Sequence, residues 1–513
     1  MNRLATNRRF LWLALYAAFV FFAGGRWNIP PAAWLAPLFA IRFYRDSEHA
    51  WRGLLWLWLA TALPTIAGWQ GATFMSFVHP VAEPLFFALM TPVALIPYVL
   101  DRLYARRFAP SLWLTLVFPI AATAADFFSA SGSPFGTFGA SAYSQRDVIW
   151  LMQLASIGGI WILTFVIYWF ASVANYAWEQ GWQWRSIRRV VLTYAGVMLL
   201  VVTFGAGRLA LAQPAAQQPV VAGFSLAPGQ MNALLGQLGS GDADGFATAT
   251  RDLHAEQLAQ IRTAAQNGAQ IVALQEGAGL GFTADVDAFL ADAAALAQQE
   301  QIHIVLPTFA VDPTGEAQPE NVVRIIDPAG ATVLEHVKFG GTIFEGSRTG
   351  SGELQTVDTP FGRLSAVICW DADFPDVMRQ AGAAGVDLLF VPANDWYELR
   401  DIHAGMATFR AVENGMALFR QAGGGVSLVT DAYGRTLHRV DAFAAAQAGD
   451  LTAAQQVVVP AAAVPTLYPI VGDLFGWAML GGLLVLVVVL LWQWRRSRRP
   501  AYRPMPVEER QAS

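Results

Sequence analysis

Leu364-Ser365-Ala366-Val367-Ile368-Cys369-Trp370-Asp371 is the stretch around which the rest of the chain is arranged. Leu364 to Ile368 is mostly apolar and reads as a buried strand; a Trp, two acids and Phe374-Pro375 follow, so the chain must turn there. Cys369 stands at the tip of that strand and is the only cysteine in 513 residues. A thiol at a strand end, entering a turn, is well placed to be a nucleophile, whereas a lone buried cysteine is otherwise a small core residue. One cysteine excludes an intramolecular disulfide and leaves the redox compartment open.

On either side of this stretch, residues 220–465 alternate short β-rich runs with helical ones. Val220–Leu226, Ile271–Leu274, His303–Leu306, Val322–Asp327, Ala331–His336, Leu364–Cys369, Asp387–Val391 and Val426–Asp431 read as strands. Gly245–Gly268, Asp285–Gln298, Asp376–Gly382 and His403–Asn414 read as helices. About 250 residues of such alternation predict one α/β domain with a substantial core.

The remainder is of another kind. The chain is 55% hydrophobic and 14% charged, with 19 Trp and 33 Phe, where an ordinary soluble domain is about a quarter charged. Residues 1–212 hold apolar runs at roughly 9–24, 30–43, 53–70, 82–100, 110–128, 149–175 and 190–208, most of them near the length that crosses a bilayer. Arginines collect at the N-terminus (Arg3, Arg8, Arg9) and in alternate loops (Arg42, Arg45, Arg52; Arg102, Arg106, Arg107; Arg185, Arg188, Arg189). That alternation predicts seven spans starting from the cytoplasm. A linker at 213–219 then delivers 220–465 to the outer face. An eighth span at 471–493 returns a tail, 494–513, to the cytoplasm behind Arg495, Arg496, Arg498 and Arg499. Net charge is −5 and the basic residues flank apolar runs, so nucleic acid is not an expected partner. The seven histidines show no metal-ligand spacing, and there is neither a phosphate-binding glycine loop nor a G-x-S-x-G elbow.

Lys338 is the single lysine of the chain. Where Arg serves everywhere else, a lone Lys marks a place that wants a compact point charge. Glu276, Lys338 and Cys369 each follow a strand, and strand ends of an α/β domain gather on one edge. Brought together there, the Glu can take the thiol proton, the Lys can lower the thiol pKa and stabilise an oxyanion, and the thiolate can form a thioester. No metal or cofactor is required.

These residues, with Ile368-Cys369-Trp370-Asp371, Phe374-Pro375-Asp376, Asn394-Asp395, Arg410-Ala411-Val412-Glu413-Asn414-Gly415 and Asp431-Ala432-Tyr433-Gly434-Arg435, resemble the nitrilase or carbon–nitrogen hydrolase superfamily. Phe135-Gly136 to Tyr143-Ser144-Gln145, Met152 to Gly159 and the flanking spans make the whole chain similar to the apolipoprotein N-acyltransferases, the membrane-embedded branch. The resemblance implies a polytopic α-helical membrane domain with an α/β nitrilase-like αββα sandwich, and catalytic Glu276, Lys338 and Cys369. It also implies transfer of a fatty acyl chain from a phospholipid, through a Cys369 thioester, to the N-terminal amine of a diacylglyceryl-cysteine apolipoprotein. The expected setting is a monomer in a bacterial inner membrane. A membrane-anchored amidase or nitrilase-type hydrolase is the alternative. Three positions depart from the pattern: Gln275 stands where a Pro precedes the Glu, Trp370-Asp371 stand where Tyr-Glu follow the nucleophile, and Glu345 sits in a shortened loop after Lys338. Glu345, Trp370 and Asp371 are the candidate supporting residues.

Overall fold

The computed structural model describes residues 2–497; the expected tail lies outside the described residues from 498 onward. Thirteen strands fall between 220 and 458. They are β1 Val220–Phe224, β2 Ile271–Leu274, β3 Gly279–Phe282, β4 His303–Val311, β5 Glu320–Ile326, β6 Thr332–Val337 and β7 Val357–Thr359, then β8 Gly362–Ala366, β9 Leu388–Asn394, β10 Ala417–Gly423, β11 Val426–Thr430, β12 Thr436–Asp441 and β13 Gln455–Val458. They form two mixed sheets, ordered β13-β1-β2-β4-β5-β6 with β3 beside β4, and β12-β11-β10-β9-β8-β7. β1, β2 and β4 run parallel, as do β8, β9 and β10.

Alternation along the strands shows how the layers arise. Ile271 and Ala273 of β2 face a core shared with Leu364, Ala366, Leu388, Phe390 and Phe419 of the second sheet. Val272 and Leu274 face the other way, onto Ile261, Phe289 and Leu296 of the helices Ala243–Gln266 and Thr283–Glu300. Leu389 and Val391 of β9 likewise pack on Met378, Ala407 and Ala411 of the helices Pro375–Ala383 and Arg400–Asn414. Strands buried on both faces read as continuous apolar runs rather than alternating ones. The architecture is the expected αββα sandwich.

One strand assignment needs correction, and five strands, β3, β7, β10, β12 and β13, were not read from the sequence. The Leu364–Cys369 strand ends at Ala366, and Cys369 instead begins a short 3-10 turn, Cys369–Asp373. β10, at the centre of its sheet, is not legible as a strand, because Arg420 and Gln421 interrupt its apolar pattern. Both are buried and paired: Arg420 with Asp395, Gln421 with Ser225 and Gln455.

Most of residues 2–210 is helical, with helices falling at each expected apolar run, two of which are interrupted. Five helices of the described residues are long and apolar enough to cross a membrane by length and composition: Ala82–Ala105, Leu112–Ala130, Ile160–Glu179, Trp184–Ala210 and Leu474–Arg496. Asn2–Phe22, Pro30–Arg45 and Ala50–Trp69 are helices but fall outside that group. The run expected to span from 149 starts at Ile160 instead. Two short helices, Ile149–Met152 and Ala155–Gly158, precede it. The break is at Gly159, which has φ +67 and packs so close to the Tyr468 ring that a Cβ would lie 2.6 Å from it.

The helix Arg400–Asn414 ties the two parts together. Its Ile402, Met406, Phe409 and Val412 are buried with Tyr143, Leu151, Met152 and Trp161 of the helical part. Arg410 donates to the Tyr143 hydroxyl (2.6 Å), and the Ile160 amide donates to Glu413 (3.1 Å). Burial pushes the Glu413 carboxyl up to about 7, against the pull of Arg410. Next to the strand-end face, Thr137 donates its amide to Asp373 O (2.8 Å) and Trp396 Nε1 donates to Gly71 O (2.6 Å). The strand-end face of the sandwich is therefore roofed by segments of the helical part.

Candidate active site

Cys369 leaves the end of β8 with φ +49 and is buried. A non-glycine residue held in the left-handed region costs about 1 to 3 kcal/mol and persists only where the surroundings fix it. Asp371 supplies that fixation. It is wholly buried and accepts four hydrogen bonds: from the Ile368 amide (2.9 Å) and His336 Nε2 (2.8 Å) at Oδ2, and from the Phe339 (2.9 Å) and Gly340 (2.6 Å) amides at Oδ1. One carboxylate thus pins the turn carrying Cys369 to the loop that follows Lys338.

Lys338 stands just past β6, is fully buried, and its amide donates to Asn321 O (2.9 Å). Its ammonium donates to Glu276 Oε1 (2.6 Å) and to Glu345. Glu276, past the end of β2, also accepts from Asn321 Nδ2 (2.8 Å) and from the Asn394 amide (3.0 Å). Asn321 Nδ2 reaches Glu345 as well, at 3.3 Å. The structure therefore brings Glu276, Lys338, Glu345 and Cys369 around one cavity of about 340 Å³, with Trp370 at its wall.

The electrostatics follow from burial with few charges. Burial works against the Lys338 charge, but Glu276, Glu345 and Cys369 hold it well above the usual lysine value, so it stays an ammonium. Burial, with Glu276 adding to it, pushes the Cys369 thiol up to about 11, while His403 and Lys338 pull it back. Burial also raises the Glu345 carboxyl against the pull of Lys338.

The aromatic wall is shared with the helical part. Trp370 stacks on Phe344 (5.7 Å between centroids) and meets Phe135 and Phe138. Phe74 and Phe77 line the same cavity. Phe74, Phe138, Trp370, Trp396 and Leu399 also line a second, mostly apolar cavity of about 670 Å³, which runs along Phe86, Phe87, Met90 and Phe128 between the helices. Cys369 thus sits where a cavity carrying Glu276, Lys338 and Glu345 meets a larger apolar one.

Gln275 is accommodated without the expected proline: its side chain accepts the Leu226 amide (3.0 Å). Residues that the sequence did not single out are Asn321, His336, Asp373, His403 and Arg420. Their pairings span 25 to 45 positions in the hydrogen bonds Arg420–Asp395, His336–Asp371 and Asn321–Glu276, so no local spacing announces them. Among the described residues, Cys369, Asp395 and His403 are the one group of such side chains close enough to share a metal ion. The Arg420 guanidinium bonded to the same Asp395 (2.7 Å) sets the electrostatics there against a divalent cation.

The two sheets and the strand-end site define a nitrilase-like fold, and residues 227–454 match the family described as Carbon-nitrogen hydrolase. Over a much longer stretch the chain is similar to the apolipoprotein N-acyltransferase of Geobacter metallireducens, 25% identical across 75% of this chain and 78% of that one. A deaminated glutathione amidase of Synechocystis is 30% identical over 111 residues, 19% of this chain and 41% of that one. Among solved structures, an amidase from Nesterenkonia aligns at 19% identity over 49% of this chain and 92% of that one, with TM-score 0.36.

Proposed function

We propose that this protein is a membrane-bound acyltransferase that moves a fatty acyl chain from a phospholipid to the N-terminal amine of a diacylglyceryl-cysteine apolipoprotein. The observation that carries the reading is the meeting of the Cys369 pocket with the larger apolar cavity between helices of membrane-spanning character. An ester whose acyl chain lies in the apolar cavity presents its carbonyl at Trp370, beside the sulfur. The similarity to the Geobacter metallireducens apolipoprotein N-acyltransferase over three quarters of the chain supports the same reading.

In this mechanism Glu276 takes the proton from Cys369 and the thiolate adds to the ester carbonyl. Lys338, fixed by Glu276 and Glu345, stabilises the oxyanion. Collapse breaks the C–O bond, Glu276 returns the proton to the departing alkoxide, and a thioester remains. The acceptor amine then attacks the thioester; its proton passes through Glu276 to the sulfur as the C–S bond breaks and the amide forms. The site lies on the outer face of a bacterial inner membrane, where both lipid-anchored substrates are held by their acyl chains.

Intact mass spectrometry tests this. Purified protein incubated with phospholipid gains one acyl mass, and a diacylated lipopeptide with a free amine removes it and becomes triacylated. An acyl mass lost equally fast without the lipopeptide makes the protein a hydrolase. Absence of any acyl mass excludes phospholipid as donor.

A further inference from the structure

Besides Lys338, the structure places a histidine beside Cys369. His403, in the first turn of the helix Arg400–Asn414, is buried and lines the Cys369 cavity. A ring nitrogen of His403, the Cys369 sulfur and a carboxylate oxygen of Asp395 all lie within 4.8 Å of one another. Nδ1 lies 2.8 Å from Asp395 Oδ1, and Nε2 faces Asp373 Oδ2 at 3.3 Å, a buried oxygen that accepts no hydrogen bond. A neutral imidazole has one N–H and would aim the lone pair of its other nitrogen at a carboxylate. Only the imidazolium turns positive charge toward both carboxylates.

We propose that His403 is a further catalytic residue of this site, an imidazolium clamped between Asp373 and Asp395 that stabilises Cys369 as a thiolate. The inference rests on Cys369 being the nucleophile. The charged and titratable groups facing His403 are Asp373, Asp395, Cys369 and Arg420, whose Nη2 lies 3.2 Å from Nδ1 and 2.7 Å from Asp395 Oδ2. Asp395 bonds both groups, one through each carboxylate oxygen. Burial opposes the His403 charge, but Asp395 and then Asp373 hold the ring well above the usual histidine value. When the S–H bond breaks, the proton goes to Glu276 and His403 keeps both of its own. The new thiolate then faces two cations, Lys338 and His403, against the one carboxylate that has just been neutralised. A single lysine would leave that sulfur, buried beside Glu276, a weak nucleophile at neutral pH.

The test is the pH dependence of Cys369 alkylation by iodoacetamide, read by intact mass on the full-length protein in detergent. With one cysteine in the chain, every adduct reports this sulfur. His403→Asn and His403→Gln keep a hydrogen bond and remove the charge. Each is expected to slow alkylation at neutral pH about tenfold or more and to move the profile midpoint up by about one pH unit or more. His403→Lys, which restores a cation, is expected to bring the midpoint back toward wild type. Thermal melts identify which variants are folded. A folded Asn or Gln variant with the wild-type midpoint overturns the proposal, as does a folded Lys variant that behaves like Asn. Because alkylation needs no lipid, a shifted midpoint without acyl transfer defeats the proposed function and leaves this inference standing. A wild-type cysteine unreactive at every pH defeats both.

Discussion

At the scale of single residues, the site depends on side chains whose chemistry no neighbour supplies. Lys338 is the only lysine, and its ammonium fits between Glu276 and Glu345 as a point charge, all of it buried. A guanidinium there keeps the charge but not the shape. Lys338→Arg is expected to lower acyl transfer at least about 100-fold, the size of effect seen when an oxyanion donor is lost; a steady-state rate within a few-fold of wild type would remove Lys338 from that role. These residues were legible because each is unique or follows a strand. Asp371 was legible as a candidate supporting residue or a turn former, but its partners were not. Its four hydrogen bonds, two of them to a loop about 30 positions away, depend on the ends of β6 and β8 meeting across the two sheets, which no local pattern states.

At the scale of elements, two features carry the site. The first is the pairing of the β9 end with β10 through Asp395 and Arg420, both buried. Removing one partner strands the other charge, so Asp395→Asn is expected to cost about 3 to 5 kcal/mol, measured by thermal denaturation in detergent. The pH signs are opposite for the two titrating members. Burial raises the Asp395 carboxyl, but Arg420 and His403 outweigh it and set the net value below 3.8, so its contribution is present above that pH and is lost as the pH falls through the lower folded value. His403 is shifted above 6.5, so its contribution is complete below that pH and is lost as the pH rises through the folded value. The same pairing explains the sequence's blind spot at β10. Arg420 and Gln421 look like surface residues until their partners on other strands are known, whereas β2 and β4, apolar on both faces, declare themselves. The second feature is the turn Thr342–Glu345, carried between Gly341 (φ +76) and Gly346 (φ +71), which holds Glu345 against Lys338 and Phe344 against Trp370. A Cβ at Gly341 runs into the Trp370 ring and is strained by its φ. Gly341→Ala is expected to slow transfer about tenfold while leaving Cys369 alkylation unchanged, which separates the loop from the sulfur.

At the scale of the whole molecule, the sandwich is not self-sufficient. Leu399, Ile402, Met406, Phe409 and Val412 are buried only with the helical part in place, and Arg410 and Glu413 find Tyr143 and Ile160 there. Residues 220–465 made alone are expected to expose that apolar face and to aggregate or require detergent on size-exclusion chromatography; a monodisperse soluble species would show that the face is tolerated in water. The two-cavity arrangement has a further consequence for heat resistance. A fatty chain esterified to Cys369 is tethered beside the 670 Å³ apolar space and cannot diffuse away. It becomes a covalent part of the folded state with nothing comparable to pack against in the unfolded one. The acylated intermediate should therefore melt several degrees above the free protein, and by more for a chain long enough to reach Phe128 than for an acetyl group. A series of acyl lengths, followed by scanning fluorimetry, would turn the reaction intermediate into a ruler for the cavity.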